Sequence, residues 1–379
     1  MRAVKSVIAV TNVLKRLQSK ASLPEASLSE LALLQRAIRM QNEARFVPAD
    51  LVLFEGIMKA VFPGVDCPMQ DSASLASLRK GVHSHCRNEG IQPTDVLITH
   101  VKRLQDTLSL RHGVMLLGPP YGAKTTVRNA LAAAESAASG GRTVMQTAVN
   151  PWAISEADFY GFYHSLTFEW HHGIFSCLFR NAMNDKSHRQ HWLILDGPVD
   201  ASWVENLNTL LDDNKKLCLA SGEMIPLLSH MRVIFEAADV AVASPATVSR
   251  LGMVYCDASL VGWEPLVASW LERLPEPLKA YKSTLDNLFL WLVSPCLDFV
   301  AEECSTYTKT GRIQRVHSLL RLMDAMLLQL DDGLCAHHIR TQVRNTLTLP
   351  ASVSHHVATR KLHVSTDGVC ARMCDQCAV

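Results

Sequence analysis

The chain has 379 residues, a formal net charge of +1 and 48% apolar residues, which is ordinary for a globular protein and long enough for two or three domains with a buried core. Near-neutrality argues against a dominant role on nucleic acid or on an acidic membrane surface. No apolar run reaches the length of a membrane span, the N-terminus lacks the charged-then-apolar order of a signal peptide, and the eleven cysteines are mostly scattered singly along apolar segments as reduced thiols. An intracellular protein is therefore expected.

In chain order, residues 1–65 read as helices, with Leu31, Leu34 and Ile38, then Leu53, Ile57 and Val61, at helical spacing. Residues 66–92 read as a polar connection around a helix. Residues 93–262 carry apolar runs near 114–117, 144–148, 192–196 and 232–236, which is the pattern of a parallel αβα core with its ligand at the carboxyl ends of the strands. Residues 263–332 read as a smaller helical domain, with Leu285, Leu288 and Leu292 on one face. Over residues 333–379 the periodicity fades, and a disordered tail is expected. Cys374 and Cys377 have a metal-ligand spacing there, but no second pair or spaced histidines complete a zinc module. His171 and His172 likewise lack further ligands nearby and read as a polar turn.

The chemistry concentrates at Gly118, Pro119, Pro120, Tyr121, Gly122, Ala123, Lys124, Thr125 and Thr126. This is the G-x-x-x-x-G-K-[ST] phosphate-binding pattern with Ala123 in place of its last glycine. The apolar run Val114–Leu117 precedes it and an alanine-rich helical stretch from Lys124 to Ala137 follows. In that setting backbone N–H groups and a helix N-terminus surround phosphate, Lys124 adds a point charge, and the Thr125 hydroxyl is placed for Mg²⁺. If position 123 requires positive φ, alanine costs on the order of 1 kcal/mol there. Asp196 ends the apolar run Trp192–Leu195 and suits the same metal. Gly197 and Pro198 follow, so no side chain at position 197 can activate water. Only Asp200 or Glu205 could substitute, by reaching in from the next turn. Glu236 ends the next apolar run, and Arg250 follows Ser244–Ser249 as a candidate arginine finger toward a neighbouring γ-phosphate.

These residues resemble the motor region of dynein heavy chains, particularly axonemal ones. The resemblance rests on Trp192–Trp203, Glu205–Asn208, Leu211–Leu217, Ser221–Glu223 and Ser244–Arg250. The phosphate loop with Tyr121 and Gly122, together with Ala148–Pro151 and Leu166–Trp170, is similar to the second AAA module of the dynein ring. The resemblance implies an AAA+ αβα large domain over 93–262 with a small helical lid over 263–332. Residues 1–65 then look like the helical remainder of the preceding, hydrolytic module, with Arg2 as its sensor arginine, and the chain is expected to begin inside a larger ring. Ala123 departs from the family pattern, whereas Gly197 does not, since that module characteristically lacks the catalytic glutamate.

The function implied is structural binding of ATP or ADP with Mg²⁺ and little or no turnover, with Arg250 supplied in trans to a neighbouring AAA site. The implied partners are the remaining AAA modules, with intermediate and light chains and microtubules reached only through the full motor, and no nucleic acid or membrane. The implied location is cytoplasm and cytoskeleton, in the ciliary axoneme. The alternative is a degenerate AAA-fold interaction protein that binds no nucleotide.

Overall fold

The computed structural model describes residues 2–20, 29–65, 73–138, 143–187, 189–305 and 310–327. The expected tail at 333–379, with Cys374 and Cys377, lies outside the described residues, as does the side chain of Arg2. The chain divides after Gly262 into two compact units.

The first unit begins with helices α1 (Arg2–Lys20), α2 (Glu30–Asn42), α3 (Pro48–Val61), α4 (Ala73–Glu89) and α5 (Asp95–Leu110). Their boundaries follow from local chemistry. Ser29 and Thr94 cap α2 and α5 by accepting N–H bonds from Ala32 and Leu97, and Pro48 stands at the first position of α3. The apolar residues first read as marking these helices do not all point inward. In α2 the buried residues are Ala32, Leu33, Gln35 and Ala37, while Leu31, Leu53, Ile57 and Val61 face solvent.

The centre of this unit is a five-stranded parallel sheet in the order β2-β5-β8-β1-β9. Its strands are β1 (Gly113–Leu117), β2 (Val144–Val149), β5 (Gln190–Asp196), β8 (Met231–Ala237) and β9 (Gly252–Tyr255). Two small antiparallel hairpins, β3 (Gly161–Tyr163) with β4 (Trp170–His172) and β6 (Lys216–Cys218) with β7 (Met224–Pro226), stand apart from it. β5 and β8 are buried almost throughout, as strands covered on both faces must be. Alternation then sorts their side chains. Met115, Leu193, Leu195, Val233 and Phe235 join one core cluster, and Val114, Leu116, Trp192, Ile194 and Ile234 join the other.

Four strands lie where the apolar runs place them; β9 was not anticipated. Gly252 makes β9 a poor strand by propensity, but an added Cβ there would meet the Thr107 side chain at 2.5 Å. The glycine therefore permits close packing against α5. His171 and His172 belong to β4 rather than to an irregular turn.

The second unit comprises helices Glu264–Glu272, Glu276–Lys279, Lys282–Glu302 and Arg312–Leu327 around its own apolar core. Leu285, Phe289, Val293 and Leu297 form the buried stripe of the third of these, with Leu288 and Leu292 packed beside it. This 21-residue helix is long and apolar enough to cross a membrane by length and composition, with mean hydropathy 1.3 over an 18-residue stretch. That corrects the expectation that no apolar run reaches the length of a membrane span. Asp286 and Asp298 interrupt the run, and Leu285, Phe289, Val293 and Leu297 on one face are buried in the core of this unit.

Candidate nucleotide-binding site

The loop at Gly118–Ala123 joins β1 to helix α6 (Lys124–Ala138). It leaves the sheet where β1 lies between β8 and β9, so its backbone opens at the carboxyl end of the sheet, where α/β folds bind ligands. The loop is fastened from below, with Gly118 N–H donating to Ala237 O and Cys256 N–H donating to Leu117 O. A Cβ at Gly118 would stand 2.1 Å from Cys256 O, which only glycine avoids. Cys256 is buried beneath the loop, and that burial pushes its thiol up to about 12.

Tyr121 and Ala123 adopt φ of 65° and 60°. The condition set from the sequence is therefore met: alanine occupies a left-handed position at a cost of about 1 kcal/mol. Lys124 Nζ donates to Gly118 O at 2.5 Å and to Pro119 O at 3.0 Å, holding the ammonium across the loop mouth. Burial pulls its pKa below the ordinary lysine value, against the raising influence of Cys256, Glu236 and Asp196.

Thr125 and Asp196 stand at the ends of elements that meet here, but the Thr125 hydroxyl donates to Glu236 Oε2, at 2.7 Å. Glu236 is paired with Asp196 across β5 and β8 and is only 3% exposed. Its other oxygen accepts from Arg128 Nε at 2.5 Å, and Arg128 also donates to Gln146 Oε1. Sequence reasoning noticed Glu236 at the strand end where AAA+ proteins usually carry a polar sensor, most often asparagine, and missed Arg128 and Gln146. The available signal was the i+4 spacing of Arg128 from Lys124, which sets both on one side of α6.

The backbone cradle, lysine, threonine hydroxyl and adjacent carboxylates fit a magnesium nucleotide. Lys124 and the loop N–H groups would hold phosphate, and Thr125 and Asp196 would hold the metal. A groove of about 440 Å³ along α6 is lined by Thr125, Thr126, Asn129 and Gln146 among others, but by none of Gly118–Ala123. It runs beside the phosphate loop without including it.

The position after Asp196 is a glycine set against the Asn150 side chain. A Cβ on Gly197 would lie 2.8 Å from Asn150 Oδ1, and that oxygen accepts the N–H of Trp152. Asp200 is committed to capping the turn Ala201–Val204 through Ser202 N–H, and Glu205 is exposed at the start of the next turn. Arg250 lies outside the loop cluster, with Nε donating to Asp212 Oδ1 at 2.7 Å and a terminal nitrogen donating to Ala246 O at 2.8 Å.

Comparison with known proteins gives this arrangement a family. Residues 1–125 match the model described as the hydrolytic ATP binding site of dynein motor region. Residues 113–251 match the AAA domain of the dynein-related subfamily, and residues 285–347 match the dynein heavy chain AAA lid domain. The chain is 39% identical over 338 residues to dynein axonemal heavy chain 3 of Mus musculus, covering 88% of this chain and 8% of that protein. It is 38% identical over 332 residues to dynein axonemal heavy chain 1 of Homo sapiens, covering 86% of this chain and 8% of the relative. This chain belongs to the dynein heavy chain family. The dynein segment spans about a tenth or less of the length of the curated relatives it matches. Its five-stranded parallel sheet and following helices are the AAA+ and lid parts of a dynein heavy chain.

Proposed function

We propose that this dynein segment holds ATP or ADP with Mg²⁺ as a structural element of a motor ring, with little or no hydrolysis at its own site. Gly197 carries the proposal. A glutamate there would have to shift the Asn150 side chain, whose Oδ1 lies 2.8 Å from an added Cβ. Among the described residues Asp200 caps a turn and Glu205 is exposed at the start of the next, so neither takes over the activation of water. The matching segments support placement in the second AAA module of the ring, after the end of the first, with lid residues from Trp263 onward. Arg250 supplies positive charge to a neighbouring module's γ-phosphate, leaving Asp212 for a bidentate contact with phosphate. The remaining modules are its direct partners, and microtubules and the smaller dynein chains are reached only through the complete motor. The names of the axonemal relatives support a role for the full motor in the ciliary axoneme.

The deciding experiment measures nucleotide affinity and phosphate release by the purified chain. Micromolar binding, abolished in Lys124→Ala, with release far below 1 s⁻¹ is expected; turnover on the order of 1 s⁻¹ or faster rejects the holding role. One observation favours the rival reading of a scaffold without nucleotide, namely the strained φ of 60° at Ala123. Absence of binding in the parent chain would establish that rival.

A further inference from the structure

The buried carboxylate of Glu236 has no task in the phosphate loop as described above, yet it is the residue to which the loop's threonine is tied. It lies on β8 beside Asp196 of β5, 3% exposed, and accepts from the Thr125 hydroxyl at 2.7 Å and from Arg128 Nε at 2.5 Å. Arg128 is itself buried on α6 and is held from its other side by Gln146 on β2. A carboxylate so enclosed is retained only if paired and hydrogen-bonded, and here the pairing extends directly to a residue suited to bind metal.

A hydroxyl has one proton and two acceptor lone pairs. When Thr125 gives its proton to Glu236, its lone pairs are left for an electrophile. With the opposite orientation, in which Thr125 accepts a hydrogen bond, a metal would have to compete for them. Arg128 has donors only, so it forces Glu236 to present acceptors and fixes one of its oxygens. Arg128 balances the charge of Glu236, so the pair contributes the orientation of the hydroxyl. Asp196 is the carboxylate that disfavours bare phosphate and favours phosphate that arrives with a divalent cation.

We infer that Glu236, clamped by Arg128, is the positioning residue of the magnesium site. It orients the Thr125 hydroxyl toward the metal and makes nucleotide binding here conditional on Mg²⁺. The inference rests on the nucleotide-holding reading and adds to it a requirement for metal that Lys124 and the loop alone do not impose.

The substitution Glu236→Gln tests it, because an amide cannot serve both neighbours as the carboxylate does. Arg128 takes the amide oxygen, which leaves the NH₂ group to donate to Thr125 and turns the hydroxyl's lone pair away from metal. Binding of a fluorescent ATP analogue to the full chain is measured in excess Mg²⁺ and in EDTA. The parent chain is expected to bind at least about tenfold more tightly with Mg²⁺. In Glu236→Gln that ratio falls about tenfold, through weaker binding with Mg²⁺ and stronger binding in EDTA. A merely structural role would weaken both conditions together and leave the ratio unchanged, which overturns the inference. Equal binding by the parent chain with and without Mg²⁺ overturns it too, leaving the nucleotide-holding reading intact. No binding under either condition rejects both. Should Glu236→Gln lose its cooperative thermal transition, Thr125→Ala keeps the Glu236–Arg128 pair and is expected to lose the Mg²⁺ enhancement. Its retention there is equally fatal.

Discussion

Ala123 shows how one methyl group sets the terms of a binding site. Its φ of 60° is one that glycine adopts at no steric cost, whereas alanine places Cβ against the following carbonyl. The loop holds this conformation because it is tied at both ends, by Gly118 to Ala237 O below and by α6 above. Ala123→Gly is expected to raise unfolding free energy by about 1 kcal/mol, less the added entropy of the unfolded chain, and to tighten nucleotide binding. Urea denaturation measures the first effect and analogue titration the second. A destabilised Ala123→Gly chain would mean that the strain is relieved in solution by a different loop conformation.

At the scale of elements, α4 and α6 pack so closely that a Cβ on Gly81 would lie 2.8 Å from both Cα and Cβ of Ala134. Two effects compete in Gly81→Ala. Helix propensity gains up to about 1 kcal/mol, while overpacking against backbone costs about 1–3 kcal/mol. Backbone yields less than a flexible side-chain tip, so the clash should prevail and the variant should unfold at lower temperature by calorimetry. A rise in melting temperature would show that the two helices can separate without loss. The same packing explains what was legible beforehand. β1, β5 and β8 announce themselves as apolar runs because both their faces are covered, and α6 through its alanines. β9 did not, since its glycine is explained by Thr107, a residue 145 positions away in sequence that only the folded sheet brings near. The loop at Gly118–Ala123 was legible because its pattern is contiguous, whereas Asp196 was reached through the apolar run it ends. The Arg128–Glu236–Gln146 network was not, because it joins one helix and two strands through side chains that share no local pattern.

Across the whole molecule, surface and charge point to behaviour that no single site determines. Leu53, Ile57 and Val61 recur at helical spacing along α3 with 68%, 59% and 61% of their surface exposed. The periodicity that identifies this helix thus lies on an outward face, where burial would recover about 25 cal/mol per Å² of apolar surface. A net charge of +1 offers little repulsion to oppose association. The isolated chain is accordingly expected to self-associate as its concentration rises, with apparent mass increasing in light scattering. The double substitution Leu53→Lys and Ile57→Lys places two charges on that face and removes no buried contact. It should suppress the mass increase while altering unfolding free energy by no more than about 0.5 kcal/mol, as expected of exposed positions. If the mass increase persists undiminished, association runs through another surface. A loss of several kcal/mol would instead mean that the α3 face packs within the chain in solution, contrary to its exposure here.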